Sequence, residues 1–246
     1  MSLNKFLVSL LITLSIVFVG LQYFQLEYEA TLVRTVAMMS LAILYIRKVE
    51  KKHLFFYWFL MLFTIGDIFN LITWSYSVYI DSAYELPFYF IGNIIYIIAY
   101  TFLVLRMIAS LNFVKAIKKF PLQVLILIIL GVFCVYFVSD TTKRELETSQ
   151  YLLEFAYNAV IMFLMCLALI NYMYHDDKKS INLLIGSIFI VFSEVIQLAY
   201  FYVAEFRILN VLCSLFLVMA FIFFYLQSLL KHEPAGIYKY DKIHTL

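Results

Sequence analysis

The stretch LFFYWFLMLFTIGDIFNLITWSYSVYI, residues 54–80, is apolar and aromatic almost throughout, yet it carries a carboxylate at Asp67. A hydrocarbon core about 30 Å thick is crossed by about 20 residues of helix, so this segment predicts a membrane span with Asp67 near its centre. An Asp there costs about 2.5 to 3.5 kcal/mol on insertion scales. A residue that expensive points to a function.

Similar apolar stretches lie near 6–24, 30–46, 86–109, 121–139, 151–174, 181–203 and 207–230. Together they predict an all-α polytopic membrane bundle of about eight transmembrane helices over residues 1–230, followed by a short cytoplasmic tail at 231–246. The second stretch is short and carries Arg34, so seven helices is the alternative. Composition agrees with a lipid-solvated chain: 65% of residues are hydrophobic and 14% charged, with a mean hydropathy of +0.95, which excludes an ordinary soluble domain. A net charge of +2 spread over many short loops argues against nucleic acid as a partner.

The basic residues report orientation instead. Most, including Arg47, Lys48, Lys51, Lys52, Lys115, Lys118, Lys119, Lys178, Lys179, Lys231, Lys239 and Lys242, fall on one side of the eight-span scheme, against Arg34, Lys143, Arg144 and Arg207 on the other. The positive-inside rule then predicts both termini in the cytoplasm, as for a protein of a bacterial inner membrane. The N-terminus has the lysine and apolar run of a signal peptide but no small-x-small cleavage site after Gly20, which predicts a retained first helix. Trp58, Tyr79 and Tyr202, near span ends, read as interfacial anchors. The three cysteines lie inside spans and contain no CxxC pair.

Asp67 and Glu194 fall at one depth in the third and seventh spans. Their contexts match, GDIFNL at 66–71 against SEVIQL at 193–198, each acid followed at i+3 by an amide, Asn70 or Gln197, on the same helix face. IGNIIY at 91–96 similarly resembles ILNVLC at 208–213. These correspondences suggest a four-plus-four internal repeat, which places spans three and seven side by side with both acids lining one cavity near the midplane. Other polar residues share helix faces: Thr64 and Trp74 with Asp67; Asn93, Tyr96 and Tyr100; Glu154 and Asn158; Asn210 and Ser214. They predict a chamber open outward or to the outer leaflet. Arg34 is expected to pair with Glu154 or to snorkel outward.

The four histidines lie at the cytoplasmic boundary or in the tail, so no metal site is expected at membrane depth. The last span holds no lysine for a retinal Schiff base, and neither a Gly-rich phosphate loop nor GxSxG occurs. No cofactor is expected, and two carboxyl groups in a dry setting remain. One protonated and one ionised acid do acid and base work together. Asp67 is the expected proton donor, and Glu194 the expected base or stabiliser of an oxocarbenium-like cation.

These residues resemble a known group, the YhhN or lysoplasmalogenase family of membrane proteins. The likeness runs through FTIGDIF at 63–69, FIGNIIYIIAY at 90–100, YNAVIM at 157–162, GSIFIVFSEVIQLA at 186–199 and FYLQSLL at 224–230, in that order. The resemblance implies an eight-helix fold and hydrolysis of the vinyl-ether bond of a lysophospholipid ether. Asp67 and Glu194 would then be catalytic. Arg34, Asn70, Asn93, Tyr100, Glu154, Asn158, Gln197 and Asn210 would bind the substrate, with Arg34 near its phosphate. The chain departs from the family pattern at Arg34-Thr35 in place of Lys-Pro, at Glu194 in place of Asp, and at Tyr100 in place of His. Those departures suit the alternative of a non-catalytic lipid-binding, transport or sensory protein of the same fold. Oligomeric state is not readable from the sequence.

Overall fold

The computed structural model describes residues 3–76 and 85–231. Tyr79 and all of the tail beyond Lys231 lie outside the described residues. The described chain is helical: α1 Leu3–Tyr23, α2 Glu27–Lys48, α3 Leu54–Tyr76, α4 Glu85–Ser110, α5 Phe113–Lys119, α6 Pro121–Thr142, α7 Thr148–His175, α8 Lys178–Tyr202 and α9 Arg207–Leu229. Eight of these, all but α5, are long and apolar enough to cross a membrane. The protein is an all-α polytopic membrane protein.

The second helix settles the choice between seven and eight spans. It runs for 22 residues, beyond the apolar stretch at both ends, with Glu27 and Glu29 in its first turn and Arg47 and Lys48 in its last. Those charges complement the helix dipole while lowering the hydropathy of its ends. The short α5 begins at Asn112, whose side chain accepts a hydrogen bond from the Lys115 main-chain N–H at 3.1 Å.

Short connections at 24–26, 49–53, 176–177 and 203–206 reverse the chain between neighbours. Helix ends therefore sort into a lysine-poor end, at 24–26, 143–147 and 203–206, and a lysine-rich end, at 49–53, 111–120 and 176–177. Helices α1, α2, α3, α4, α7, α8 and α9 pack in that order, and α9 packs on α1, so seven helices close a ring. Helix α6 stands outside it against α7 and α8. The expected side-by-side packing of α3 and α8 is not made. α3 is flanked by α2 and α4, and α8 by α7 and α9, which places the two acidic helices across the ring from each other.

Within each half, consecutive long helices pack on each other. The aligned positions 66 and 96, and 193 and 213, also touch in both halves: a Cβ on Gly66 would lie 2.9 Å from the Tyr96 ring, and Ser193 Oγ donates to the Cys213 carbonyl at 2.9 Å. The halves differ in that α1 closes the ring and α6 does not.

The lysine-rich half of the ring is filled by aromatic side chains. Phe59 stacks on Phe221 at 5.9 Å, Phe63 meets Phe221 edge-on at 4.7 Å, and Phe224 meets Phe59 at 5.6 Å. Lipid tails are as apolar as these rings, so close packing rather than escape from water holds this layer together. Gly186 makes room for it, since a Cβ there would come within 2.6 Å of Phe224.

Candidate functional site

Above the aromatic layer, toward the lysine-poor end, the ring encloses a cavity of about 710 Å³. Its walls include Gln22, Glu27, Trp74 and Tyr202 from helix ends on the lysine-poor side. Of the residues singled out from sequence, Arg34, Asn70, Asn93, Glu154, Glu194, Gln197 and Asn210 line the cavity. Asp67, Tyr100 and Asn158 do not, and each is corrected below.

Asp67 is fully buried behind Arg34 and Tyr96. Its Oδ1 lies 2.8 Å from Arg34 Nη2 and accepts the Tyr96 hydroxyl at 2.7 Å. Asn70 Nδ2 donates in turn to the Tyr96 oxygen at 3.0 Å, and the Thr35 hydroxyl donates to the Asp67 main-chain carbonyl at 3.2 Å. The i+3 spacing seen in the sequence thus puts Asn70 and Asp67 on one tyrosine. Gly66 is part of the same device, because the Tyr96 ring occupies the space of a side chain there. Helices α2, α3 and α4 are joined through this cluster. Arg34, 20% exposed, is held by Asp67 while its guanidinium also borders the cavity. The expected pairing of Arg34 with Glu154 is replaced by this ion pair, since α2 packs on α3 and not on α7.

Glu194 stands on the opposite wall. Tyr100 donates to its Oε1 at 2.5 Å and Tyr157 to its Oε2 at 3.0 Å. Tyr100 is fully buried, so it positions Glu194 and does not meet a ligand. Tyr157, the first residue of YNAVIM, borders the cavity three residues after Glu154 on the same helix face, a place in the site that the motif alone does not assign. Glu154 receives only a long contact from the Tyr89 hydroxyl, 3.4 Å to Oε2. Asn158 is turned away, donating to Ser139 Oγ at 3.1 Å and fastening α7 to α6.

The remaining cavity polar groups close the ring. Asn210 Nδ2 donates to Gln22 Oε1 at 2.8 Å, tying α9 to α1. The Tyr200 hydroxyl donates to Glu27 Oε1 at 3.2 Å, tying α8 to α2. Gln22 and Tyr89 carry little signal in the sequence, Gln22 being an amide near the end of an apolar helix like many interfacial residues. Tyr202, expected as an interfacial anchor, ends α8 and also lines the cavity. The chemistry on offer is a fixed guanidinium on one side, the carboxyl groups of Glu154 and Glu194 on the other, a third carboxyl, Glu27, held by Tyr200, and aromatic walls between.

No family model, no curated protein and no solved structure matches this chain.

Proposed function

We propose that the cavity takes a single-chain ether phospholipid and that the protein hydrolyses its vinyl-ether bond, as the resemblance to the YhhN or lysoplasmalogenase family implies. The observation that carries this reading is the placement of Arg34 against Glu154 and Glu194 around one cavity large enough for a headgroup and the start of a chain. Arg34, steadied by Asp67, receives the phosphate; a guanidinium matches phosphate oxygens in a fixed fork. The lysine-rich end faces the cytoplasm of a bacterial inner membrane, with both termini there, and the cavity opens on the other side.

Cleavage proceeds by transfer of a proton to the vinyl carbon distal to the ether oxygen, which leaves an oxocarbenium ion. The ionised Glu194 stabilises that cation and accepts a proton from the attacking water. As the C–O bond of the hemiacetal breaks, protonated Glu194 gives its proton to the departing oxygen and the carboxylate left by the first donor takes the hemiacetal hydroxyl proton, giving a fatty aldehyde and a glycerophospho-alcohol with one water consumed and both acids restored. Glu154, the carboxyl group in the cavity without a short hydrogen bond, supplies the first proton. Asp67 keeps a part as the group that positions Arg34 and gives up the part of proton donor.

A second reading rests on the same tyrosines: both Glu194 oxygens are already occupied as acceptors, which suits a site that binds a lipid and does not turn it over. Incubating purified protein in detergent with lysoplasmalogen and measuring released aldehyde separates the two. The hydrolase reading expects release by the wild type, a fall in kcat of about 10²- to 10⁴-fold in Glu194→Gln and Glu154→Gln, and a raised KM in Asp67→Asn. Undiminished release by a well-folded Glu194→Gln sinks it. Lipid binding that depends on Arg34, with no aldehyde, establishes the binding-only alternative.

A further inference from the structure

A second buried arginine lies far from the cavity. Arg106 sits on α4, four residues and about 6 Å of helix before its end at the lysine-rich side. It is 4% exposed and makes no hydrogen bond or ion pair with any described residue. Two more basic groups lie at the same end of the bundle. Lys179, at the start of α8, gives one bond to the Leu230 carbonyl at 2.9 Å. His53, just before α3, has a buried Nδ1 without a partner. Burial first, then the charges of Arg106 and Lys179, push the His53 imidazole down to about 4. Asp177 faces Lys179 and is also bound in the cap of α8, accepting from the Ser180 main-chain N–H at 2.7 Å and the Ser180 hydroxyl at 2.6 Å; Arg106 is faced by the Tyr45 hydroxyl, and no described carboxylate makes an ion pair with it.

An isolated charge withdrawn from water is costly, and buried arginines are ordinarily paired. Arg34 obeys that rule through Asp67, and Arg106 finds no such partner among the described residues. We propose that Arg106, with Lys179 and His53, forms a binding site for a phosphate group entering from the lysine-rich face. Arg106 supplies the fork of donors, Lys179 a second cation and the neutral His53 a single donor. The phosphate belongs to an anionic lipid headgroup or is free in solution, and both sources present the same oxygens.

The test titrates full-length protein in detergent with phosphatidylglycerol, with phosphatidylcholine, and with inorganic phosphate against chloride at matched ionic strength. Binding is followed by Tm and by native mass spectrometry. Wild type should bind phosphatidylglycerol at least tenfold more tightly than Arg106→Gln, with Arg106→Lys between them. Lys118→Gln, an exposed lysine on the same face, should change affinity less than twofold. Without any anion, Arg106→Gln should melt no lower than wild type, because it removes an uncompensated charge. A rise in Tm with inorganic phosphate that depends on Arg106 assigns the site to the free anion, and a response to phosphatidylglycerol alone assigns it to the headgroup. Equal losses in Arg106→Gln and Lys118→Gln, or no difference between Arg106→Gln and wild type, overturn the proposal.

Discussion

Arg34 and Arg106 are both arginines lodged inside the bundle, and the chain surrounds them in opposite ways. Arg34 has the Asp67 carboxylate at 2.8 Å and the Tyr96 hydroxyl at 3.4 Å. Arg106 has no such partner among the described residues. Near the cavity, charge is neutralised by the protein itself, which leaves the guanidinium fixed and able to receive a ligand without moving. At the lysine-rich end no described residue pairs with Arg106, and the phosphate proposed above is what would neutralise it. The same residue type therefore serves a prepared site in one place and an unfilled one in the other.

The strongest way to break this contrast is to make Arg34 resemble Arg106. Asp67→Ala leaves a guanidinium unpaired in a protein interior, and removing one partner of a buried pair costs about 3–5 kcal/mol. The variant should unfold far more readily in detergent, while Arg34→Met combined with Asp67→Ala should recover most of the loss. Unfolding in graded denaturing detergent, read by tryptophan fluorescence, gives the coupling between the two positions. Simple additivity of the two changes would show that the ion pair is not what holds α2 to α3.

A smaller effect is expected from the glycines that let neighbouring helices approach. Gly66→Ala puts a methyl 2.9 Å from Tyr96 Cε1 and Cζ, which shifts the ring that holds Asp67. Overpacking of this kind costs about 1–3 kcal/mol. Gly186→Ala puts one 2.6 Å from Phe224 and 3.2 Å from the Ala220 carbonyl oxygen, at a comparable cost. Only Gly66→Ala should also weaken phospholipid binding, because only Tyr96 stands behind Arg34. Equal effects on binding would remove the link from Gly66 through Tyr96 to the cation.

The eight spans were legible because a bilayer demands about 20 apolar residues from each, and that demand is local in sequence. The acids were legible for the same reason, as costly exceptions to a local rule. Which acid faces the cavity was not. Asp67 and Glu194 sit in matching sequence contexts, and their difference arises from residues distant in the chain: Arg34 from α2 covers one, while Tyr100 and Tyr157 from α4 and α7 present the other. Ring closure of α9 on α1 and the exclusion of α6 likewise depend on which long-range contacts form. Tyr100 illustrates the limit, because its polar tip suggested a ligand contact while its burial makes it a support for Glu194.

That support gives a third comparison, between two hydroxyls on one carboxylate. Tyr100→Phe removes the 2.5 Å bond inside the packed core, where no water takes its place. A hydrogen bond to a charged group contributes about 1.5–3 kcal/mol, and this loss should fall in that range. Tyr157→Phe removes the 3.0 Å bond at the cavity wall, where solvent can supply a donor, and it should cost less. The two melts measured side by side check the order, and a larger loss in Tyr157→Phe would place the dry side of Glu194 on the wrong wall.

The mildest test returns to the unneutralised end. His53 is held down at about 4 by burial and by Arg106 and Lys179, whereas an unfolded chain takes up the proton near 6.5. Between these values the unfolded state binds a proton that the folded state refuses, so lowering the pH from about 6.5 toward 4 favours unfolding. Above 6.5 both states are neutral at this position and the penalty vanishes; below 4 both are protonated and it grows no further. His53→Gln should therefore flatten the fall of Tm in that window and leave Tm near pH 8 almost unchanged. A phosphate-bearing lipid bound at Arg106 and Lys179 should flatten it as well, since it cancels the two charges that oppose protonation. Parallel pH profiles for wild type and His53→Gln would show that the imidazole does not feel those cations, and a profile unaltered by phosphatidylglycerol would show that the anion does not reach them.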